Sequence, residues 1–174
     1  MTKALIIVDM VKGFINKKTK DGPCAMYLKG ADRIVPFIER EIHSLKPKDT
    51  EIWVCDTHKP NDKEFERFPP HCIEGTEESK PIEIPYKGRH VVIPKTRYSG
   101  FYVTSLDNLL QMKKVTEVTI VGVCTDICVF ATALDAFYHG YKVTVVKDCI
   151  YALEVGRGEM CLKYLKDLAG VKVR

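Results

Sequence analysis

The apolar positions of this chain switch period several times along its length. Residues 3–8 form a continuous apolar run, the pattern of a strand covered on both faces. Over residues 31–45 the apolar positions Ile34, Phe37, Ile38, Ile42 and Leu45 fall at helical spacing. Strand-like runs return at 51–55 and 90–93, followed by a short helix over 105–112 with Ser105 at its N-cap. A fourth strand is predicted at 117–124 and a helix at 125–139, closed by Gly140. A fifth strand at 142–147, a helix over 158–168 stopped by Gly170 and a short last strand at 171–173 complete the pattern. This alternation predicts an α/β fold: a three-layer αβα domain with a mainly parallel, doubly wound sheet of about six strands. Residues 1–174 read as one such domain, without repeat or linker.

One stretch breaks the rhythm. Residues 56–89 have the Pro and Gly density of a long loop, and so long a loop in a compact domain is usually functional. In open α/β sheets, sites form at the carboxyl ends of strands. The informative residues are therefore Asp9, Asp56 to His58, Lys95, Cys124 to Cys128 and Asp148.

Composition narrows the function classes. The 174 residues are 45% hydrophobic and 29% charged, a globular balance that argues against disorder. The formal net charge is +4, with both signs mixed along the chain, so no nucleic-acid footprint is expected. The densest basic run, Lys17 to Lys20, reads as a solvated loop. No stretch reaches the roughly 20 apolar residues needed to span a bilayer, and the apolar run near the start is cut short by Asp9, unlike a signal peptide. Seven cysteines, several within strand-like runs, favour reduced thiols and a cytoplasmic location over a disulfide framework.

Two constellations carry chemistry. Cys128 follows the fourth strand where a helix begins, and there the helix dipole and free N–H groups favour a thiolate. Lys95 ends the third strand and would bring a positive charge to the thiol; Asp9 ends the first and could accept and return a proton. Singly, each has an ordinary reading as a packed thiol, an exposed lysine or a turn residue. The second constellation is Asp56, His58 and His71, a carboxylate and two imidazoles suited to Zn²⁺, Mn²⁺ or Fe²⁺, with Glu64 between the histidines as a possible fourth ligand. Its ordinary reading is a polar, solvated loop. His43, His90 and His139 have no sequence neighbours of this kind and read as surface or core residues.

Five segments in order resemble the isochorismatase-like cysteine hydrolases, and among them the nicotinamidases. They are Ile6-Ile-Val-Asp9-Met-Val-Lys-Gly-Phe14, Cys55-Asp-Thr-His58, Phe68-Pro-Pro-His71-Cys-Ile-Glu-Gly75-Thr76, Pro94-Lys95-Thr-Arg-Tyr-Ser-Gly-Phe101 and Val121-Gly-Val-Cys-Thr-Asp-Ile-Cys128-Val. The resemblance implies a catalytic triad of Asp9, Lys95 and Cys128, and a cis peptide joining Val123 to Cys124. It further implies an oxyanion hole from the backbone N–H groups of Cys124 and Cys128. Asp56, His58 and His71 match the family's metal ligands, and Glu64 an additional acidic ligand. Phe14 matches an aromatic pocket wall, to which Tyr98 or Phe101 adds. One divalent metal and no organic cofactor, a small carboxamide substrate such as nicotinamide and a homo-oligomer are the corresponding expectations.

The chain departs from the pattern in two places. Lys59-Pro-Asn-Asp62 stands where many nicotinamidases carry a second His and a Ser-Phe pair. Cys124 stands where a small residue is usual, either filling a small space or forming a reversible disulfide with Cys128. Isochorismatase-type vinyl ether cleavage is disfavoured by the presence of Cys128, His58 and His71. N-carbamoyl or ureido amidohydrolases of the same superfamily, and a non-catalytic thiol-sensing module, are the alternatives. A flavodoxin-like nucleotide binder is disfavoured because Asp9 would stand where a phosphate should bind.

Overall fold

The computed structural model describes residues 2–84 and 90–174; the last five residues of the predicted 56–89 loop lie outside the described residues. The apolar runs become strands of one sheet: β1 (Thr2–Val8), β4 (Thr50–Asp56), β5 (His90–Lys95), β6 (Val115–Val123), β7 (Lys142–Tyr151) and β8 (Lys172–Val173). Their order is β5-β4-β1-β6-β7-β8, and every neighbouring pair is parallel. A separate antiparallel hairpin pairs β2 (Lys18–Thr19) with β3 (Gly22–Pro23). It absorbs part of the basic run expected as plain loop.

Successive side chains of a strand point to opposite faces, and here both faces are covered. Ala4, Ile6 and Val8 enter one core with Ile52, Val54 and Ile120, whereas Leu5 and Ile7 enter the other with Trp53 and Cys55. The first core is roofed by α3 (Leu106–Met112), α4 (Phe130–Tyr138) and α5 (Val155–Asp167). The second is roofed by α1 (Lys12–Ile15) and α2 (Val35–Ser44). This is the three-layer, doubly wound arrangement expected. Each wholly buried Ile, Leu or Val contributes about 1.5–3 kcal/mol of burial, which explains why the central strands are unbroken apolar runs.

Several boundaries differ for local reasons. α5 begins three residues early because Glu154 caps it, its carboxylate accepting from the N–H groups of Gly156 and Arg157. Ser105 stands at the N-cap of α3 without a side-chain cap bond; the Thr104 hydroxyl accepts from the Leu106 N–H instead, at 3.2 Å. The helix expected over 125–139 opens with a π-helical turn, Thr125–Val129, before α4. Gly140 follows it with φ 83°, as the stop signal required. Asp148, expected at a strand end, lies exposed inside the longer β7 and plays no part in the site.

Candidate active site

Three strand ends converge on one buried cluster. After β1, Asp9 takes a left-handed backbone conformation, φ 52°, with its N–H on the Val54 carbonyl at 2.9 Å. For a residue other than glycine that conformation is costly, and here it accompanies a carboxyl group turned into the sheet end. Asp9 Oδ1 accepts from the Asp56 N–H at 2.8 Å, and Oδ2 lies 2.8 Å from Lys95 Nζ. Lys95 ends β5, pairs also with Asp56 Oδ1, and sits 3.6 Å from Cys128 Sγ. Cys128 is carried by the π-helical turn, where the Ile127 and Val129 N–H groups both reach the Cys124 carbonyl at 3.1 Å. The peptide between Val123 and Cys124 is cis. Asp9 and Lys95 are at most 1% exposed, Cys128 7%.

The electrostatics correct one expectation. Lys95 does pull the Cys128 thiol toward ionisation, but burial, joined by the Asp9 and Asp56 charges, holds its pKa well above the ordinary thiol range. Burial beside two carboxylates thus works against ionisation of the sulfur, and the Lys95 ammonium 3.6 Å away works for it. Burial raises the Asp9 carboxyl to about 7, assisted by Asp56 and opposed by Lys95. Burial would lift Asp56 as well, but Lys95 and then His58 outweigh it and hold that carboxyl at about 2. Asp9 is thus the group poised to exchange a proton near neutrality.

Beside this cluster, Asp56, His58, Glu64 and His71 bring one ligand atom each to within 4.8 Å of one another. The His58 and His71 Nε2 atoms lie 3.6 and 4.0 Å from Asp56 Oδ2, too far for good hydrogen bonds. Both rings are held from behind: His71 Nδ1 meets the Pro69 carbonyl at 2.8 Å, and His58 Nδ1 meets Asp62 Oδ2 at 3.1 Å. His58 Nε2 is buried with no hydrogen-bond partner. Imidazoles fixed at Nδ1, with Nε2 turned toward a carboxylate, are the arrangement of metal-ligating histidines. The four residues fit a divalent cation.

The two clusters share a narrow cleft of about 30 Å³, walled by Phe14, Met26, Leu28, Phe68, Tyr98, Ile127 and Leu153. Four larger surface hollows, about 690, 450, 320 and 270 Å³, are lined by other residues and hold neither Cys128 nor the metal-type group.

The Isochorismatase domain family matches residues 3–173, almost the whole sequence. The chain belongs to this family. An uncharacterized isochorismatase family protein PncA from Bacillus subtilis (strain 168) is 31% identical over 99% of each chain. The crystal structure of a pyrazinamidase from Pyrococcus horikoshii in complex with zinc superposes with TM-score 0.88 at 31% identity, covering 99% of this chain and 98% of the other. An N-carbamoylsarcosine amidase from Thermoplasma acidophilum superposes with TM-score 0.86, also at 31% identity, over 100% and 96%. This isochorismatase-family chain is a hydrolase of the amide-cleaving kind, and its αβα layering is the family's.

Within the isochorismatase domain, the sequence-predicted residues Asp9, Lys95, Cys128, Asp56, His58, His71 and Glu64 come together, and Phe14 and Tyr98 line the cleft. Phe101 does not. It stacks on His139, ring centroids 4.9 Å apart and 20° from parallel, in the core beneath α3 and α4. His139 likewise finds a partner, Asp107, at 3.4 Å. All seven cysteines are free, Cys124 among them.

Several contacts at the site escaped sequence reasoning. Leu153 forms a cleft wall from the far end of β7, and Asp126 fixes it: its buried carboxylate accepts from the Leu153 and Glu154 N–H groups at 2.9 and 3.2 Å and from Arg157 Nε at 2.8 Å. Asp62 and Arg97 stand behind His58, with Arg97 Nη1 2.9 and 3.1 Å from the two Asp62 oxygens. Nothing in the linear sequence links residues 62 and 97, or 126 and 157.

Proposed function

We propose that this isochorismatase-domain protein hydrolyses nicotinamide to nicotinate and ammonia through a thioester on Cys128, in the manner of NAD salvage. Asp56, His58 and His71 would hold one divalent metal, zinc foremost with manganese or iron as alternatives, and Glu64 would be a further acidic ligand. The observation carrying this reading is the adjacency of the Cys128–Lys95–Asp9 cluster and the metal-type group across one aromatic-walled cleft. The likeness to a pyrazinamidase solved with zinc supports it.

In this mechanism Asp9 takes the Cys128 proton as the sulfur attacks the carboxamide carbon. Lys95 lies between both carboxylates and offsets part of their charge; once Asp9 has taken the proton and is neutral, the ammonium is left paired with the Asp56 carboxylate. Backbone N–H groups of Cys124 and Cys128 receive the developing oxyanion, where one donor is worth about 2.7–4 kcal/mol. Protonated Asp9 hands its proton to the departing nitrogen, ammonia leaves and the thioester remains. Asp9 then takes a proton from an attacking water; the C–S bond breaks, nicotinic acid forms and the proton returns to Cys128. When bound, the metal supplies a Lewis acid that anchors the pyridine ring nitrogen. Leu153 and Tyr98 wall the cleft and reach the surface, at 44% and 38% exposure.

The test is ammonia release from nicotinamide by the purified protein, before and after chelation and after Zn²⁺ or Mn²⁺ return. Metal-dependent release is expected, and Cys128→Ala should abolish turnover while retaining substrate binding. Substantial turnover by that variant would sink the nucleophile. An N-carbamoyl or ureido substrate is the second reading, favoured by the same 31% identity to an N-carbamoylsarcosine amidase; release from such a substrate and none from nicotinamide would select it.

A further inference from the structure

We infer that Asp62, held by Arg97, is a positioning residue that sets the affinity of the metal group by fixing two of its members at once. The inference rests on the metal reading above and deepens it.

Asp62 belongs to the Lys59-Pro-Asn-Asp62 stretch in which this chain departs from the nicotinamidase pattern, and it is one of the best-buried carboxylates outside the four candidate ligands, with 6% side-chain exposure. Its oxygens divide three tasks. Oδ2 faces His58 Nδ1 at 3.1 Å. Oδ1 accepts from the Glu64 N–H at 3.0 Å and so caps the one-turn helix Lys63–Glu66 that carries Glu64. Both oxygens receive Arg97 Nη1.

The first contact decides the His58 tautomer. A carboxylate accepts only, so Nδ1 must carry a proton, and in the neutral ring the lone pair is then on Nε2. That lone pair is on the buried, unpartnered atom turned to Asp56. The second contact fixes the backbone of Glu64 relative to the same ring. Arg97 lies two residues past Lys95, so its grip on Asp62 ties this support to the strand end that carries the catalytic lysine. His71 is supported differently, by a neutral backbone carbonyl.

The test measures metal affinity, not turnover. Zn²⁺ binding to metal-stripped protein is titrated in competition with a chromophoric chelator for wild type, Asp62→Ala, Asp62→Asn, Arg97→Ala and the Asp62→Ala/Arg97→Ala pair. Loss of an outer-shell partner of this kind typically weakens metal binding by about 10–100-fold, and Asp62→Ala should show it. Arg97→Ala should show a smaller loss, partly restored by Arg97→Lys. Because Arg97 acts through Asp62, the double variant should bind no more weakly than Asp62→Ala alone. Asp62→Asn keeps the cap on Lys63–Glu66 through its carbonyl oxygen, so it reads the His58 contact should Asp62→Ala fail to fold. Zinc affinity equal to wild type in both Asp62→Asn and Arg97→Ala would overturn the inference while leaving the metal site standing. A wild-type protein that takes up no zinc would overturn the metal reading and the inference with it.

Discussion

Replacing Lys95 by methionine would remove a single charge from the middle of two carboxylates and a thiol, while keeping most of the side-chain volume. Lys95 is 1% exposed and its ammonium meets both Asp9 and Asp56. Breaking a buried pair by deleting one partner costs about 3–5 kcal/mol, because the remaining charge stays buried without compensation. Here the cost should depend on pH. In the wild type, Asp9 titrates at about 7 in the folded protein against 3.8 when free. The fold therefore holds a proton that the unfolded chain has released, and stability falls as pH rises from about 4 to 7. Without Lys95 the folded Asp9 value moves higher still. Below about 7 Asp9 is protonated in both proteins and its part of the stability gap is flat, while Asp56, which Lys95 holds low in the wild type, adds a part that also grows with pH. Above it the variant alone retains the proton, and the gap widens by up to about 1.4 kcal/mol per pH unit until the variant's own value is passed. Urea unfolding of metal-stripped wild type and Lys95→Met at pH ~6 and pH ~8.5 measures both quantities. A loss below about 1 kcal/mol at the higher pH, or a gap that narrows as pH rises, would refute the reasoning. Ammonia release should be lost at either pH.

Gly122→Ala should be among the most damaging single changes. A Cβ there would sit 2.0 Å from the Val8 carbonyl oxygen at φ 116°, forcing β1 from β6 beside Asp9, and a loss above about 4 kcal/mol with little folded protein is expected by thermal melting. Asp126→Ala should cost about 2–4 kcal/mol in urea unfolding through lost charge-assisted bonds to the Leu153 and Glu154 N–H groups. It should also raise KM, because the Leu153 wall is released; an unchanged KM would separate that wall from substrate. Phe101→Ala should destabilise by about 3 kcal/mol yet leave KM within about twofold, since Phe101 packs on His139 and not on the cleft.

The layers of the fold were legible because β1, β4 and β6 are buried on both faces and their apolar runs say so. The strand-end rule then located Asp9, Asp56, Lys95 and Cys128 before any geometry. What was hidden depends on contacts that sequence spacing does not encode. Phe101 and Tyr98 are three residues apart and both aromatic, yet the chain turns between them and sends one ring into the core. Asp148 looked like a strand end because the β7 pattern loses its apolar run at Lys147, whereas pairing with β6 carries the strand on to Tyr151. The π-helical turn around Cys128 reads like any α-helix start. The pull of burial and two carboxylates against ionising the Cys128 thiol is conveyed by no spacing of cysteine and lysine. Asp62 and Arg97 were ordinary loop and strand-end charges until the fold set them face to face.

The position of β1 has a consequence for the chain as it is made. Although early in the sequence, β1 lies third of six in the sheet, with Ala4 opposite Thr50 on one side and Val118 on the other. At roughly 5–20 residues per second of synthesis, its first edge is satisfied seconds before its second. A nascent chain ending short of β6 presents Ala4 to Val8 as an open apolar strand edge, the type of surface that templates wrong pairing. Such long-separation pairing also makes folding slow. The strand that closes that edge delivers Gly122, and the turn directly after it delivers Cys128. Protection from aggregation and acquisition of the nucleophile therefore arrive together on the ribosome, and no shorter nascent species has either.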